Sequence, residues 1–282
     1  MCRIAGGRSR RLGEGASTCF ALFVQAAAVH AAAMLTDPFF YLVAIPAVIL
    51  LGLGKGGWVG VGSVALPLLA LAVPPVQGAA ILLPLMLVQD AVGVWAFRKS
   101  WDGYILAVML PGAAIGTLFG YLLARHVSID AVLLALGLIS ILFAAHRMWV
   151  ERHGAIAAPA DSPGWVGSLF GVASGFVSQI ALAGGPPFQM WVLPRGLPPA
   201  TLTGTTAIFF ALINWMKVPA FTALDQFTHE NLIMSAVLLP VAILSTLAGV
   251  ALVRCIDPRR FYRLIYLLMG LVGVRLVWMA LT

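Results

Sequence analysis

The chain has 282 residues, of which 61% are hydrophobic and only 10% are charged. A soluble domain carries about 25% charged residues, and the mean hydropathy here is +1.01, so these values exclude an ordinary soluble globular protein. The net charge of +7 lies mainly in short loops between apolar runs, a pattern typical of a membrane protein rather than of a nucleic-acid-binding surface.

Residues 1–36 form a basic leader followed by a weakly apolar segment. Four arginines precede a run that is rich in alanine and interrupted by Gln25 and His30. This pattern is typical of a signal peptide, and it also fits one weak additional membrane crossing. A third interpretation places the natural start of the protein at Met34. The sequence leaves these three alternatives open.

A glycine-rich stretch, Gly52–Gly62, interrupts the first apolar run and contains six glycines and Lys55. Each glycine inside a helix costs about 1 kcal/mol relative to alanine, so we do not expect a continuous helix. Unwound backbone at membrane depth must line a polar cavity or pack against protein. We therefore predict a re-entrant hairpin or a discontinuous helix in which Lys55, Gly56 and Gly57 bind an anion. The alternative is a kinked helix whose lysine reaches the membrane interface.

The remaining apolar segments are long enough to span a bilayer, since about 20 residues cross its hydrocarbon core. The predicted fold class is therefore an all-α integral membrane protein. Residues 150–163 are polar and separate a first membrane unit, 37–149, from a second, 164–282. The predicted membrane segments are 76–97, 103–124, 129–149, 164–194 (broken), 199–222, 229–252 and 258–281.

The second membrane unit repeats the first. Residues 110–125 align without gaps to residues 239–254, and eight of the sixteen positions are identical. Pro74-Pro75 likewise corresponds to Pro198-Pro199, and the break at Gly56–Gly57 to Gly184–Gly185. Internal duplication is the usual construction of secondary transporters. We therefore predict two internal repeats, each a glycine-broken hairpin followed by three transmembrane helices.

The loop charges indicate that the two repeats are inverted. If each broken segment enters and leaves the membrane on the same side, one face collects nine basic residues and the opposite face only Arg125. If each broken segment is a full crossing, the division is four against six. Only the first arrangement obeys the positive-inside rule. The nine residues are Arg98, Lys99, Arg147, Arg152, Arg195, Arg254, Arg259, Arg260 and Arg263.

Small residues recur at four-residue spacing in two corresponding helices. Gly112, Gly116 and Gly120 form such a stripe, and Ser245 and Gly249 are its counterpart in the second repeat. Stripes of this kind let helix backbones approach one another closely in a membrane. We therefore predict close helix packing at both places.

Polar side chains inside the predicted helices are the other candidates for function. Gln89 and Asp90 lie within 76–97, and Asn214 and Lys217 share one helix face because they are three residues apart. Ionisable residues in a membrane segment are candidates for substrate or proton sites. The alternative is a structural ion pair in which Asp90 and Lys217 neutralise one another.

The motifs of the common enzyme classes are absent, and the three cysteines are scattered without metal-ligand spacing. We therefore expect no catalytic activity, no metal and no cofactor. A carrier is favoured over an enzyme or a pump.

Several motifs resemble the sulfite exporter TauE/SafE family. They are Asp37-Pro-Phe-Phe40, Gly52-Leu-Gly-Lys-Gly-Gly57, Pro67, Leu83-Pro84, Gln89-Asp90, Gly184-Gly-Pro-Pro-Phe188, Arg195-Gly-Leu-Pro-Pro199 and the stretch 221–261. The resemblance spans about residues 37–280. It implies a multi-pass permease of the bacterial inner membrane for sulfite or organosulfonates, and it leaves the anion and the direction of transport open.

Together these lines predict a permease that works by alternating access. The anion site is predicted to comprise Lys55, Gly56, Gly57, Gly184, Gly185, Asn214 and Lys217, with Gln89 and Asp90 coupling transport to protons or forming an ion pair. The partners expected are a small sulfur-containing anion and the lipid bilayer, but no nucleic acid, and a homo-oligomer is left open. The alternatives are an anion channel, a permease for another small organic anion, or a scaffold that transports nothing.

Overall fold

The apolar segments form helices in the computed structural model, which describes residues 37–56, 60–124, 126–153, 159, 161–252 and 258–282. Within these residues every element is helical and no strand occurs. The helices are α1 (Pro38–Lys55), α2 (Ala65–Leu69), α3 (Pro75–Phe97), α4 (Gly103–Ala124), α5 (Ile129–His153), α6 (Gly164–Ala181), α7 (Gly185–Val192), α8 (Pro199–Ala223), α9 (His229–Leu252) and α10 (Pro258–Leu281), with 3-10 turns at Val61–Val64 and Leu193–Arg195.

Seven helices in the described part of the chain are long and apolar enough to cross a membrane: α1, α3, α4, α5, α6, α8 and α9. The apolar part of α10, Ile265–Leu281, is shorter. The prediction of an all-helical, multi-pass membrane protein is confirmed. The leader, residues 1–36, lies outside the described residues.

Helix α1 begins where the sequence provides a cap. The side chain of Asp37 accepts a hydrogen bond from the Phe39 amide at 2.9 Å, and Pro38 occupies the first helical position, where its missing N–H is not needed. Helices α3 and α8 also have proline at the first helical position, Pro75 and Pro199, but they follow another proline and have no side-chain cap.

The first glycine-rich break starts later than predicted, because α1 continues through Gly52 and Gly54 to Lys55. Both glycines are required by packing. A Cβ on Gly52 would lie 2.0 Å from the Ser245 Oγ, and one on Gly54 would lie 2.6 Å from the Gly62 amide nitrogen. The packing of α1 therefore outweighs the low helix propensity of glycine.

The contact between Gly54 and Gly62 also shows that the chain reverses direction after α1. Gly60 has a φ of 96°, a left-handed conformation that glycine adopts without the steric penalty of a Cβ. The turn leads into Val61–Val64 and α2, which pack beside α1. The first broken segment is thus a hairpin.

The second broken segment is a hairpin as well. Helix α6 ends at Ala181, and Leu182 turns the chain with a φ of 52°. A Cβ on Gly167 would lie 2.4 Å from the Trp191 ring, so α7 returns alongside α6. The Arg195 guanidinium then donates to the Ser162 carbonyl oxygen at 3.0 Å, which joins the end of the hairpin to its start.

Close helix packing is confirmed at both predicted stripes. On α4, a Cβ on Gly112 would lie 2.1 Å from the Ser168 carbonyl oxygen, and one on Gly116 would lie 2.0 Å from that of Val172. Residue numbers rise together along this contact, so α4 and α6 run parallel. Helices α1 and α9 pair in the same way.

Helices α3 and α8 cross the centre in opposite directions. A Cβ on Gly204 would lie 1.8 Å from the Ser100 carbonyl oxygen, and the Asp102 amide donates to the Thr205 Oγ1 at 2.9 Å. The end of α3 thus meets the start of α8. Helix α5 packs mainly on α10, and the tips of both hairpins approach the middle of the α3–α8 pair.

Candidate functional site

A row of polar side chains crosses the apolar centre of the molecule. Lys55 ends α1, Asp90 lies in the middle of α3, and Asn214 and Lys217 lie on α8. Asp90 is 2% exposed, whereas Asn214 and Lys217 are fully buried. Only Lys55, at 16% exposure of its side chain, retains contact with open space.

These four side chains form one hydrogen-bonded chain. The Lys55 ammonium makes an ion pair with Asp90 Oδ1. Asn214 Nδ2 donates to Asp90 Oδ2 at 2.6 Å, and Lys217 Nζ donates to Asn214 Oδ1 at 2.9 Å. Asp90 thus accepts on both carboxylate oxygens. The cluster therefore contains two lysines and one carboxylate.

A cavity adjoins the exposed end of this chain. Its volume is about 90 Å³, and its wall includes Lys55, Gln89 and Asp90. The tip of the second hairpin contributes Gly184 and Gly185. The cavity therefore lies where the two hairpins and α3 meet, and it extends along α8 from the level of Asp90 toward the first turns of that helix.

The rest of the wall is mostly apolar and carries a few hydroxyl groups. Thr203 and Thr206 line it from α8, and Ser63 lines it from the returning part of the first hairpin. The Lys55 ammonium lies 5.8 Å from the centre of the Phe210 ring, within the range of a cation–π contact. The Thr203 and Thr206 hydroxyls donate to the Pro199 and Leu202 carbonyl oxygens of their own helix. An apolar cavity with one cation and a few polar groups suits a small anion.

Glycine shapes this cavity at the second hairpin. A Cβ on Gly185 would meet only the Gln189 Nε2, at 3.5 Å, so the space beside it is open. The position of Gly184 is fixed by a hydrogen bond to α6, because its carbonyl oxygen accepts from the Ser174 hydroxyl at 2.6 Å. This arrangement brings the backbone of the second hairpin close to the cavity.

The predicted site residues divide into groups in the structure. Lys55, Gln89, Asp90, Gly184 and Gly185 share the cavity. Asn214 and Lys217 lie behind Asp90 and reach it through hydrogen bonds.

Gly56 does not line the cavity. It packs on α9, where an added Cβ would lie 2.6 Å from the Gly249 backbone, and its amide donates to the Gly52 carbonyl oxygen, closing the last turn of α1. Gly57 lies outside the described residues.

Gln89 points partly away from the open space. Its Nε2 donates to the Ala242 carbonyl oxygen on α9 at 3.2 Å. Its Oε1 is buried and has no hydrogen-bond partner among the described residues. One amide end of this side chain therefore fixes α3 against α9, and the other remains available.

Four residues of the cavity wall were not predicted from the sequence: Ser63, Thr203, Thr206 and Phe210. The signal for the three residues on α8 was present, because they continue the helix face of Asn214 at spacings of three and four residues. Ser63 had no such signal, since it follows the turn. Among the described residues, no group of three or more His, Cys, Asp or Glu side chains comes together that could hold a metal ion.

Comparison with known proteins adds one finding. The family model described as sulfite exporter TauE/SafE matches residues 44–276, which include all of the described cavity and the buried chain behind it. No curated protein and no solved structure matches the chain.

Proposed function

Because the chain belongs to the sulfite exporter TauE/SafE family, we propose that it is a permease that carries sulfite or organosulfonates across the membrane by alternating access. The observation that carries this proposal is the ammonium of Lys55, which reaches an apolar cavity between the tips of two hairpins. A lysine at membrane depth is costly and marks a functional site.

The substrate oxyanion binds to Lys55 and to donors around it. The Lys55 ammonium has three N–H donors, of which the ion pair with Asp90 uses one. The hairpin backbone at Gly185 lies in the same wall. So do the hydroxyl groups of Thr203 and Thr206, which donate to the Pro199 and Leu202 carbonyl oxygens at 2.9 and 2.7 Å and must turn to donate to the anion. The cavity volume of about 90 Å³ leaves room for an anion of a few heavy atoms, because on the same measure a single water molecule needs only about 10–15 Å³.

Two inverted repeats provide the mechanism. In the repeat alignment α1 corresponds to α6 and α4 to α9, so the parallel pair α1–α9 is the counterpart of the parallel pair α6–α4. When Pro74-Pro75 is aligned with Pro198-Pro199, Asp90 corresponds to Asn214. These two side chains hydrogen-bond to each other, as residues near a two-fold axis do. These pairings support a transporter whose halves rock around a central site.

A second cavity supports alternating access. Its volume is about 420 Å³. It lies near Pro74, Leu123, Ile129 and Phe221, at the end of the bundle opposite the first turns of α8. The Lys55 cavity extends toward those first turns instead. The two cavities thus lie toward opposite ends of the bundle.

The end of the bundle that carries Arg98, Lys99 and Arg195 is cytoplasmic, and the membrane is the bacterial inner membrane. The contacts between Ser100 and Gly204 and between Arg195 and Ser162 place these basic residues together. Basic residues accumulate on the cytoplasmic side. The two repeats are then residues 37–149 and 164–282, joined by the linker 150–163.

Flux into proteoliposomes tests this function. Purified protein is reconstituted, and uptake of labelled sulfite, methanesulfonate, acetate and chloride is measured over a range of concentrations. A permease gives saturable uptake of the sulfur-containing anions and counterflow of labelled against unlabelled anion. Non-saturable flux without counterflow indicates a channel, preference for acetate indicates a different organic anion, and no flux above empty vesicles refutes the proposal.

A further inference from the structure

Lys217 is a cation in the centre of the protein without a carboxylate of its own. Its side chain is fully buried, and its hydrogen bond within the described residues goes to the neutral amide of Asn214. It lies on the far side of Asn214 and Asp90 from the Lys55 cavity and does not line that cavity. Contact with the transported anion therefore does not explain it.

The charges around Lys217 do not balance when all of them are ionised. Lys55 on α1 and Asp90 on α3 are the charged groups that face it. Helices α4 and α6, which also pack on α8, contain no Asp, Glu, Lys, Arg or His. The cluster of Lys55, Asp90 and Lys217 then has a net charge of +1, and an uncompensated charge is costly in a membrane interior.

Two different changes can restore a neutral cluster. Either an anion binds beside Lys55, or Lys217 releases its proton. Both carboxylate oxygens of Asp90 already accept hydrogen bonds, from Lys55 and from Asn214. The hydrogen bond from Lys217 to Asn214 Oδ1 survives either change, since a neutral amine still donates.

We propose that Lys217 is the coupling site of the transporter, and that it takes up one proton for each monovalent anion that binds at Lys55. This rests on the proposed anion transport. The proton adds to the free electron pair of Nζ on one side of the membrane and leaves it on the other, and no bond in the anion changes. The empty carrier, with Lys217 neutral, and the loaded carrier, with Lys217 charged, are both neutral. Transport of a monovalent anion is therefore electroneutral.

The test follows protons and anion together. Proteoliposomes with a pH-sensitive dye inside receive labelled methanesulfonate, which stays ionised at all working pH values and brings no proton itself. The membrane potential is set with potassium and valinomycin. Wild-type protein takes up one proton per anion, and its rate follows the pH gradient and not the potential.

Lys217→Gln keeps a hydrogen-bond donor but cannot be charged. It loses the proton signal, and its anion uptake becomes dependent on the potential. Lys217→Met gives the same result without the donor. Ser140→Ala, which removes a buried hydroxyl that donates to the Leu136 carbonyl oxygen on α5, behaves as wild type and controls for the loss of a buried polar group.

Two results overturn the proposal. One is wild-type uptake that follows the potential without proton movement, which needs no variant to be folded. The other is a Lys217→Gln protein that still takes up one proton per anion, above all if Asp90→Asn loses the proton instead. With sulfite as the probe, the wild-type proton count exceeds that of Lys217→Gln by one per anion. Failure of both anions to enter wild-type vesicles refutes the anion transport itself, a different outcome.

Discussion

Replacing Lys55 by glutamine separates anion binding from structural support. Glutamine cannot carry the charge, but it can still donate a hydrogen bond into the cavity. The fold is expected to persist, because Asp90 keeps its hydrogen bond from Asn214 and the charge of Lys217 behind it. Lys55→Gln protein should therefore be recovered at normal abundance.

The size of the effect follows from the surroundings of Lys55. Its side chain is 16% exposed, so a bound anion meets an ammonium that is largely withdrawn from water. A hydrogen bond to a charged group contributes about 1.5–3 kcal/mol, which is roughly ten- to a hundredfold in affinity. Since glutamine keeps a neutral donor, worth about 0.5–1.5 kcal/mol, we expect the lower end of that range.

The assay is the concentration dependence of sulfite and methanesulfonate uptake into proteoliposomes. Lys55→Arg should recover only part of the affinity, because a planar guanidinium does not replace a compact ammonium. Arg98→Gln removes one positive charge from an exposed position outside the cavity and should leave the affinity unchanged. This variant controls for a general effect of net charge.

A double substitution distinguishes the two roles of Lys55. If Lys55 serves only to neutralise Asp90, then Lys55→Gln combined with Asp90→Asn restores uptake. If Lys55 binds the anion, the affinity of the double variant stays low. Wild-type affinity in Lys55→Gln itself would remove this residue from the site and refute the argument.

Three further predictions concern the topology, the helix packing and the stability of the protein. Arg98 and residues 254–263 should both be labelled from the cytoplasmic side in cysteine-accessibility experiments, and labelling from opposite sides would contradict the inverted repeats. Gly116→Ala should lower the stability in detergent by about 1–3 kcal/mol through overpacking against α6, whereas Gly270→Ala, whose Cβ would meet its nearest neighbour at 3.6 Å, should not. Asp90→Asn should lower the thermal midpoint, because it removes the carboxylate that faces both Lys55 and Lys217 and leaves two buried cations uncompensated. An unchanged midpoint would show that this carboxylate does not support the fold.

The sequence by itself determined the membrane class and the extent of most helices. Apolar runs of membrane length have few alternatives to a helix, because lipid cannot satisfy backbone hydrogen bonds. The predicted segments 76–97, 103–124 and 199–222 agree with α3, α4 and α8 to within three residues at each end. The small-residue stripe on α4 predicted close packing, because only glycine allows that approach.

The sequence also singled out Lys55 and Asp90, for an energetic reason. A charge inside a membrane helix is so costly that its presence needs an explanation. The spacing of apolar residues, in contrast, did not predict which residues surround Lys55 and Asp90. Helix α3 is apolar on nearly all sides, so no amphipathic pattern shows which face turns toward which neighbour.

Only the tertiary structure decided which charges meet. The sequence suggested Lys217 as a direct partner of Asp90, but Lys55 makes that contact, and Asn214 stands between Asp90 and Lys217. The tertiary structure also places Gly56 against α9 rather than in the cavity. These outcomes depend on how the tips of the hairpins fold back onto α3, α8 and α9. That arrangement joins residues far apart in the chain through close packing, and no local pattern encodes it.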